Sequence, residues 1–249
     1  MRVALSFLTR LPVGNLVVED YAAAVGRAVP FFPVVGLIVG LCALAADAAA
    51  GLLFGPAVRA AAAVIASVAV TGAFHLDGLM DTADGVLSSR DRQRMLEIMR
   101  DSRVGAMGVV AGTLSLLMRF ALLLEMPPAL RWRALLTAPL LGRTTMGLVL
   151  GVWPSARGRG QGMGGSVAAA VGPWQVAGAL AVGLGLSLLV GGGWRGAAAW
   201  LAALVASALT AQALSARLGG LTGDTYGAIN EVVEIVILAL YAAAWRGGA

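Results

Sequence analysis

Seven stretches of predominantly apolar residues divide the chain, at roughly 30–52, 57–75, 105–126, 132–152, 172–192, 195–216 and 228–245. A helix crosses the hydrocarbon core of a bilayer in about 20 such residues, and only a helix or a closed barrel satisfies its own backbone where water is absent. The expected fold is therefore all-α, a polytopic integral membrane bundle of about seven transmembrane helices, with residues 1–249 as a single integral membrane domain. Composition agrees: 12% of residues are charged and 59% apolar, against about 25% charged in ordinary soluble domains. Gly36 and Gly40 form a small-xxx-small pair in the run GLIVG, and Val58–Phe74 is rich in Ala and Val; both patterns let helices approach closely in lipid. The first residues do not read as a cleaved leader, because Arg2, Arg10 and Pro12 interrupt the apolar run.

All 18 basic residues are Arg. The lack of Lys excludes a Walker-type phosphate loop and Schiff-base chemistry. With one Cys (Cys42) and one His (His75), neither an intrachain disulfide nor a Cys/His zinc site can form. A metal ion must then be held by oxygen, which favours Mg²⁺, Mn²⁺ or Ca²⁺.

The Arg residues also orient the chain. With the amino terminus in the cytoplasm, Arg2, Arg10, Arg27, Arg90, Arg92, Arg94, Arg100, Arg103, Arg157, Arg159 and Arg217 fall inside. Arg59, Arg131, Arg133, Arg195 and Arg246 fall outside, and Arg119 and Arg143 lie within spans. Three polar stretches, 75–104, 153–170 and 217–230, then share the cytoplasmic face with Ser6–Pro12, as one active site requires. Asp47 and Glu125 are expected at the opposite face, in contact with water. Arg residues scattered over short loops exclude nucleic acid as a partner.

Chemistry concentrates in Phe74–Gly85, FHLDGLMDTADG. Asp77, Asp81 and Asp84 stand at i, i+4 and i+7, on one face of a helix. Three stacked carboxylates repel one another unless a cation neutralises them, and Mg²⁺ shares its shell among carboxylates, waters and substrate phosphates. The competing reading is a solvated helix end with Asp as a cap. His75 adjoins Asp77 and is read either as substrate-binding or as a hydrogen-bonded structural residue. Downstream, Arg100-Asp101-Ser102-Arg103 stands just before a span. Its guanidinium forks match phosphate oxygens, while Arg90, Arg92 and Arg94 read as plain positive-inside charge. Arg143, inside a span, reaches either a phosphate or a buried carboxylate. Gly158–Gly165 is expected as a flexible loop. Asp224 caps the last span or binds substrate. Asn230, Glu231 and Glu234 enter that span, so the two acids need a metal or an Arg such as Arg143.

These motifs resemble the cobalamin synthase family, the adenosylcobinamide-GDP ribazoletransferases. HLDGLMDTADG (His75–Gly85) and RMLEIMRDSRVGAMGV (Arg94–Val109) match the family signature, with Met80 where Ala is usual and Arg100 where Lys is usual. Arg119 also replaces a frequent Lys. FLTRLPVG (Phe7–Gly14), APLLGRTTM (Ala138–Met146) and LGGLTGDTYGAINEVVE (Leu218–Glu234) resemble the family's other motifs, in order. The resemblance implies transfer of the adenosylcobinamide phosphate moiety from adenosylcobinamide-GDP to α-ribazole or its 5′-phosphate, with release of GMP. It implies a Mg²⁺ cofactor and a bacterial cytoplasmic (inner) membrane location, with the active site facing the cytoplasm. The expected metal ligands are Asp77, Asp81, Asp84 and Glu231. Asp77, Asp81, Asp84 and Asp101 are the catalytic candidates, with Asp101 as ligand or base. His75, Arg100, Ser102, Arg103, Arg143, Asp224 and Asn230 are expected to bind substrate. Membrane lipid is a further partner, and a homo-oligomer stays open.

Two other functions compete. A CDP-alcohol phosphatidyltransferase shares the opening Asp81-Thr82-Ala83-Asp84-Gly85, but Ser88 and Ser89 stand in place of Ala-Arg and the second half of that motif is missing. A secondary transporter places acids near mid-membrane and shows internal repeats; here the acids gather at one interface and no repeat is visible.

Overall fold

The computed structural model describes residues 1–158, 160 and 162–246, and the extended elements among them are helical. Two short helices, α1 (Arg2–Leu8) and α2 (Tyr21–Ala28), open the chain, and a 3-10 turn at Val29–Phe31 leads into α3 (Phe32–Ala50). Next come α4 (Pro56–Thr71), α5 (Phe74–Val86) and the short α6 (Arg92–Ile98). The rest comprises α7 (Ala106–Glu125), α8 (Pro128–Val152), α9 (Gly162–Ala169), α10 (Pro173–Gly191), α11 (Trp194–Leu218) and α12 (Gly223–Arg246). Among the described residues six helical segments are long and apolar enough to cross a membrane, or seven if α4 and α5 count as one broken span. The chain is a multi-pass membrane protein.

The stretch expected to cross at 57–75 ends early, and the reason is local. Gly72 (φ 61°) and Ala73 (φ 60°) are both left-handed. The Gly72 amide donates to the Ala69 carbonyl at 3.1 Å and the Ala73 amide to the Val68 carbonyl at 2.9 Å, a Schellman end that closes α4. A Cβ at Gly72 would also stand 2.5 Å from Nε of Arg10. Beyond this stop α5 departs at 88°. With its three carboxylates α5 packs on the N-terminal turns of α7 and α12.

The centre of the bundle is α8, whose spanning window is 83% buried, against 22–28% for α7, α10 and α11. It packs on α3, α10, α11 and α12. Pro139 inside α8 has no amide to give to the Leu135 carbonyl. Gly40 of α3 fills the space beside that carbonyl: a Cβ there would lie 2.6 Å from the Leu135 oxygen. Gly36 meets the Pro139 carbonyl in the same way. The paired glycines thus bring α3 backbone-close to α8, as their spacing implied.

The outer helices turn small residues inward and large ones outward. Ala199, Ala203, Ser207 and Ala211 of α11 are fully buried at four-residue spacing, whereas Leu201 and Leu209 are exposed. On α10 the buried row is Ala179, Gly183, Ser187 and Gly191. Lipid is as apolar as leucine, so helices gain by close backbone approach rather than by hiding large side chains. A Gly40→Val substitution should overpack the α3–α8 contact and cost about 1–3 kcal/mol, seen as a lower melting temperature in detergent. Gly185→Val, where a side chain meets open space, should leave the melting temperature unchanged.

Candidate active site

Two close backbone contacts place the carboxylates. Gly78 of α5 lies against α12, where a Cβ would stand 2.6 Å from the Asp224 carbonyl oxygen. Gly227 of α12 lies against α5, where a Cβ would stand 2.9 Å from the His75 carbonyl oxygen. The crossing brings the Asp77 and Asp81 face of α5 beside Asp224. Burial and the neighbouring Asp77, Asp224 and Asp84 carboxylates push the half-buried Asp81 up to about 6. Beside them opens a cavity of about 220 Å³. Its wall draws on all four segments expected to share a face: Phe7 from α1, Asp77 and Gly78 from α5, Ser155, Arg157 and Gly162–Gly165 from the middle segment, and Asp224 and Tyr226 from α12.

Asp84 has a different surrounding from its two neighbours. Its carboxylate accepts from the Gly105 amide at 2.7 Å and the Gly108 amide at 2.8 Å, capping the N-terminus of α7. Only glycine lets the backbone come this close, which gives the G-x-x-G after Asp101 its structural sense. Met80 packs beside Gly112 of α7, 2.9 Å from where a Cβ would sit. Asp84, expected as a ligand, thus has both oxygens committed to amides. Asp101 is fully committed as well: Arg103 donates to its two oxygens at 3.1 and 2.9 Å and holds the carboxyl down at about 2, which makes it a weak proton acceptor. Arg100, Ser102 and Arg103 are exposed around this turn.

The remaining expected residues form a network inside the bundle. Arg119 of α7 pairs with Glu234 at 2.7 Å and Glu231 at 3.0 Å, both on α12. Ser115 donates to Glu231 at 3.0 Å. Arg143 of α8 pairs with Glu234 and meets His75 Nδ1 at 3.1 Å. Asn230 donates to Glu234 at 2.9 Å. All of these side chains are buried. Arg143 therefore reaches a buried carboxylate rather than a phosphate, and Glu231, expected as a ligand, is an ion-pair partner. His75 and Asn230 orient charged neighbours inside the protein, away from the cavity wall. The expectation of a watery Asp47 is also corrected: it is buried and paired with Arg59 and Arg131, the latter at 2.7 Å. Glu125 is exposed. The stretch expected as a flexible loop becomes α9 from Gly162 onward; Arg159 and Gln161 lie outside the described residues. At the start of α12 it is the Thr222 hydroxyl that accepts from the Thr225 amide at 3.3 Å, so Asp224 sits in the first turn rather than at the cap.

Comparison with known proteins decides which chemistry this geometry serves. Residues 1–242 match the sequence profile of cobalamin-5-phosphate synthase. The chain belongs to that family. It is 38% identical to the adenosylcobinamide-GDP ribazoletransferase of Desulforamulus reducens, covering 96% of this chain and 94% of the relative. It is 41% identical to the protein of the same name from Pseudomonas paraeruginosa, over 95% and 94% of the two chains, and 41% identical to that of Mesorhizobium japonicum, over 95% and 90%. No solved structure matches the chain.

For a member of the cobalamin-5-phosphate synthase family, the cavity adds two residues that sequence reasoning missed. Arg157 was read only as orienting charge, yet it lines the cavity 3.6 Å from Asp224. Tyr226 turns a buried hydroxyl, without a hydrogen-bond partner among the described residues, into the same wall. Among the described residues no three Asp, Glu, His or Cys form a ready-made metal cage. Asp77 and Asp81, however, are in no ion pair among the described residues. Two such carboxylates fit a hard divalent ion whose shell is completed by water and substrate phosphate.

Two substitutions separate cap from ligand. Asp84→Ala should cost about 1–2 kcal/mol through the lost cap, read as a lower melting temperature. Asp81→Asn should leave the melting temperature unchanged and abolish turnover. Breaking the buried network by Glu234→Gln should destabilise by about 3–5 kcal/mol, since it takes from the buried Arg143 its ion-pair partner and leaves Arg119 with Glu231 alone; thermal unfolding in detergent measures it.

Proposed function

We propose that this protein is an adenosylcobinamide-GDP ribazoletransferase, catalysing the last step of nucleotide-loop assembly in cobalamin. The observation that carries the reading is the crossing of α5 and α12, which sets free carboxylates beside a cavity in a chain related over nearly its whole length to proteins of that name. In the reaction a hydroxyl of α-ribazole, or of its 5′-phosphate, attacks the phosphorus bonded to cobinamide. The new P–O bond forms as the pyrophosphate P–O bond breaks, and GMP leaves with the bridging oxygen. Asp224, half-buried on the cavity wall, is placed to accept the hydroxyl proton. The cavity's apolar residues, Phe7, Phe74, Met146 and Leu150, suit an aromatic base and exclude water.

Mg²⁺ is the cofactor this reading requires, with Asp77 and Asp81 as its protein ligands. When bound it supplies charge neutralisation at the pyrophosphate. The chain's own residues do the positioning: Gly78 and Gly227 fix the crossing, and the Asp84 cap holds α5 against α7. On this reading the site faces the cytoplasm from the bacterial inner membrane, an orientation that the Arg distribution along the sequence supports.

The test uses purified protein with adenosylcobinamide-GDP, α-ribazole and Mg²⁺. GMP and adenosylcobalamin should appear in equal amounts, and EDTA should abolish both until Mg²⁺ is restored. Absence of product with every divalent cation rejects the reading. CMP release from a CDP-activated lipid would move the chain to the phosphatidyltransferases instead.

A further inference from the structure

Arg157 separates two concave surfaces of opposite character. On one side lies the cavity bearing Asp77 and Asp224. On the other is a depression of about 350 Å³ whose charged wall consists of Arg92, Glu97, Arg100 and Arg157. The charges in this depression do not cancel. Glu97 is already paired with Arg94 at 2.9 Å. Arg92 is structural, donating to the Leu218 carbonyl at 2.7 Å and the Ala156 carbonyl at 3.0 Å. Arg100 and Arg157 are left as like charges on one wall. Among the described residues Arg157 is ion-paired with Asp224, at 3.6 Å, beyond hydrogen-bond distance. Nε and Nη2 of Arg157 are buried and lack a hydrogen-bond partner among the described residues, a costly arrangement for a guanidinium unless a ligand completes it.

Two neighbouring guanidinium groups with unused donors match an anion that carries more than one charge and several acceptor oxygens. We infer that Arg157, with Arg100, holds the diphosphate of the guanosine nucleotide substrate, so that the nucleotide lies in the Arg-lined depression and the ribazole in the cavity behind it. This inference rests on the ribazoletransferase reading. It assigns each substrate to its own side of Arg157 and sets the scissile pyrophosphate at the boundary, next to Asp77 and Asp224. Arg157 then exchanges a loose contact with Asp224 for phosphate oxygens, which leaves the Asp224 carboxylate open to the attacking hydroxyl.

The test compares the wild-type protein with Arg157→Gln, Arg157→Lys and, as a control on an exposed arginine that lines neither cavity, Arg195→Ala. Losing a charge-assisted contact to phosphate should raise the KM for adenosylcobinamide-GDP about tenfold or more and weaken inhibition by GMP similarly. The KM for α-ribazole should stay within about twofold of wild type, because no charged contact to that substrate is lost. Arg157→Lys should recover part of the effect, and Arg195→Ala should match wild type. Unchanged GMP inhibition in Arg157→Gln, or a shift confined to the KM for α-ribazole, overturns the assignment. If Arg157→Gln is inactive, equilibrium binding of GDP to the folded variant decides: lost binding supports the inference and retained binding overturns it. A wild-type protein that yields no cobalamin rejects the ribazoletransferase reading, while GDP binding by wild type and variant still reports on Arg157 alone.

Discussion

The architecture depends on a neutral knot of charge inside the bundle. Arg119 and Arg143 face Glu231 and Glu234, with Ser115, His75 and Asn230 completing the hydrogen bonds. In a low-dielectric interior none of these groups is tolerable alone, and two cations with two anions satisfy one another only in a narrow range of geometries. The knot ties α5, α7, α8 and α12 together. Small-residue packing lets those helices approach, but it is indifferent to rotation and sliding; the ion pairs are not. They define which turn of α12 faces which turn of α8, and through His75 they hold the start of α5.

From that anchor the catalytic end follows. The Schellman stop at Gly72 and Ala73 turns the chain through 88°, so α5 begins at the knot and runs along the N-terminal turns of α12 and α7. Its first Asp residues emerge at the α12 crossing beside the cavity, and its last, Asp84, meets the free amides of α7. One short helix thereby carries both a cap that fixes its position and carboxylates left without ion-pair partners among the described residues. Those unpaired acids are the kind of destabilising feature that a stable fold retains where ligand binding compensates for it.

Much of this was legible in the chain. Hydrophobic runs marked six of the membrane helices and most of α4, and the spacing of Asp77, Asp81 and Asp84 gave the helix and its acidic face. Gly36 and Gly40 announced a close helix contact. What spacing does not reveal is the partner across space. Nothing local to Asp84 says that Gly105 and Gly108 will present amides to it, or that Glu231 and Arg119 will share an interior. Asp47 looked wet because it lies near the end of α3, and its burial depends on Arg59 and Arg131 from two other helices. The broken span was hidden because Gly72 sits in an otherwise continuous apolar run. Arg157 was masked by its composition-level role: one arginine among many on a basic face, distinguished only by the cavities on its two sides.

The claim at the centre of this account is that Asp77 and Asp81 together bind a divalent ion beside the nucleotide diphosphate. Electron paramagnetic resonance of Mn²⁺, titrated into the purified protein in the presence of GDP, addresses it directly. The account requires saturable Mn²⁺ binding that vanishes in an Asp77→Asn/Asp81→Asn double variant and survives in Asp101→Asn. Undiminished Mn²⁺ affinity in the folded double variant would contradict it.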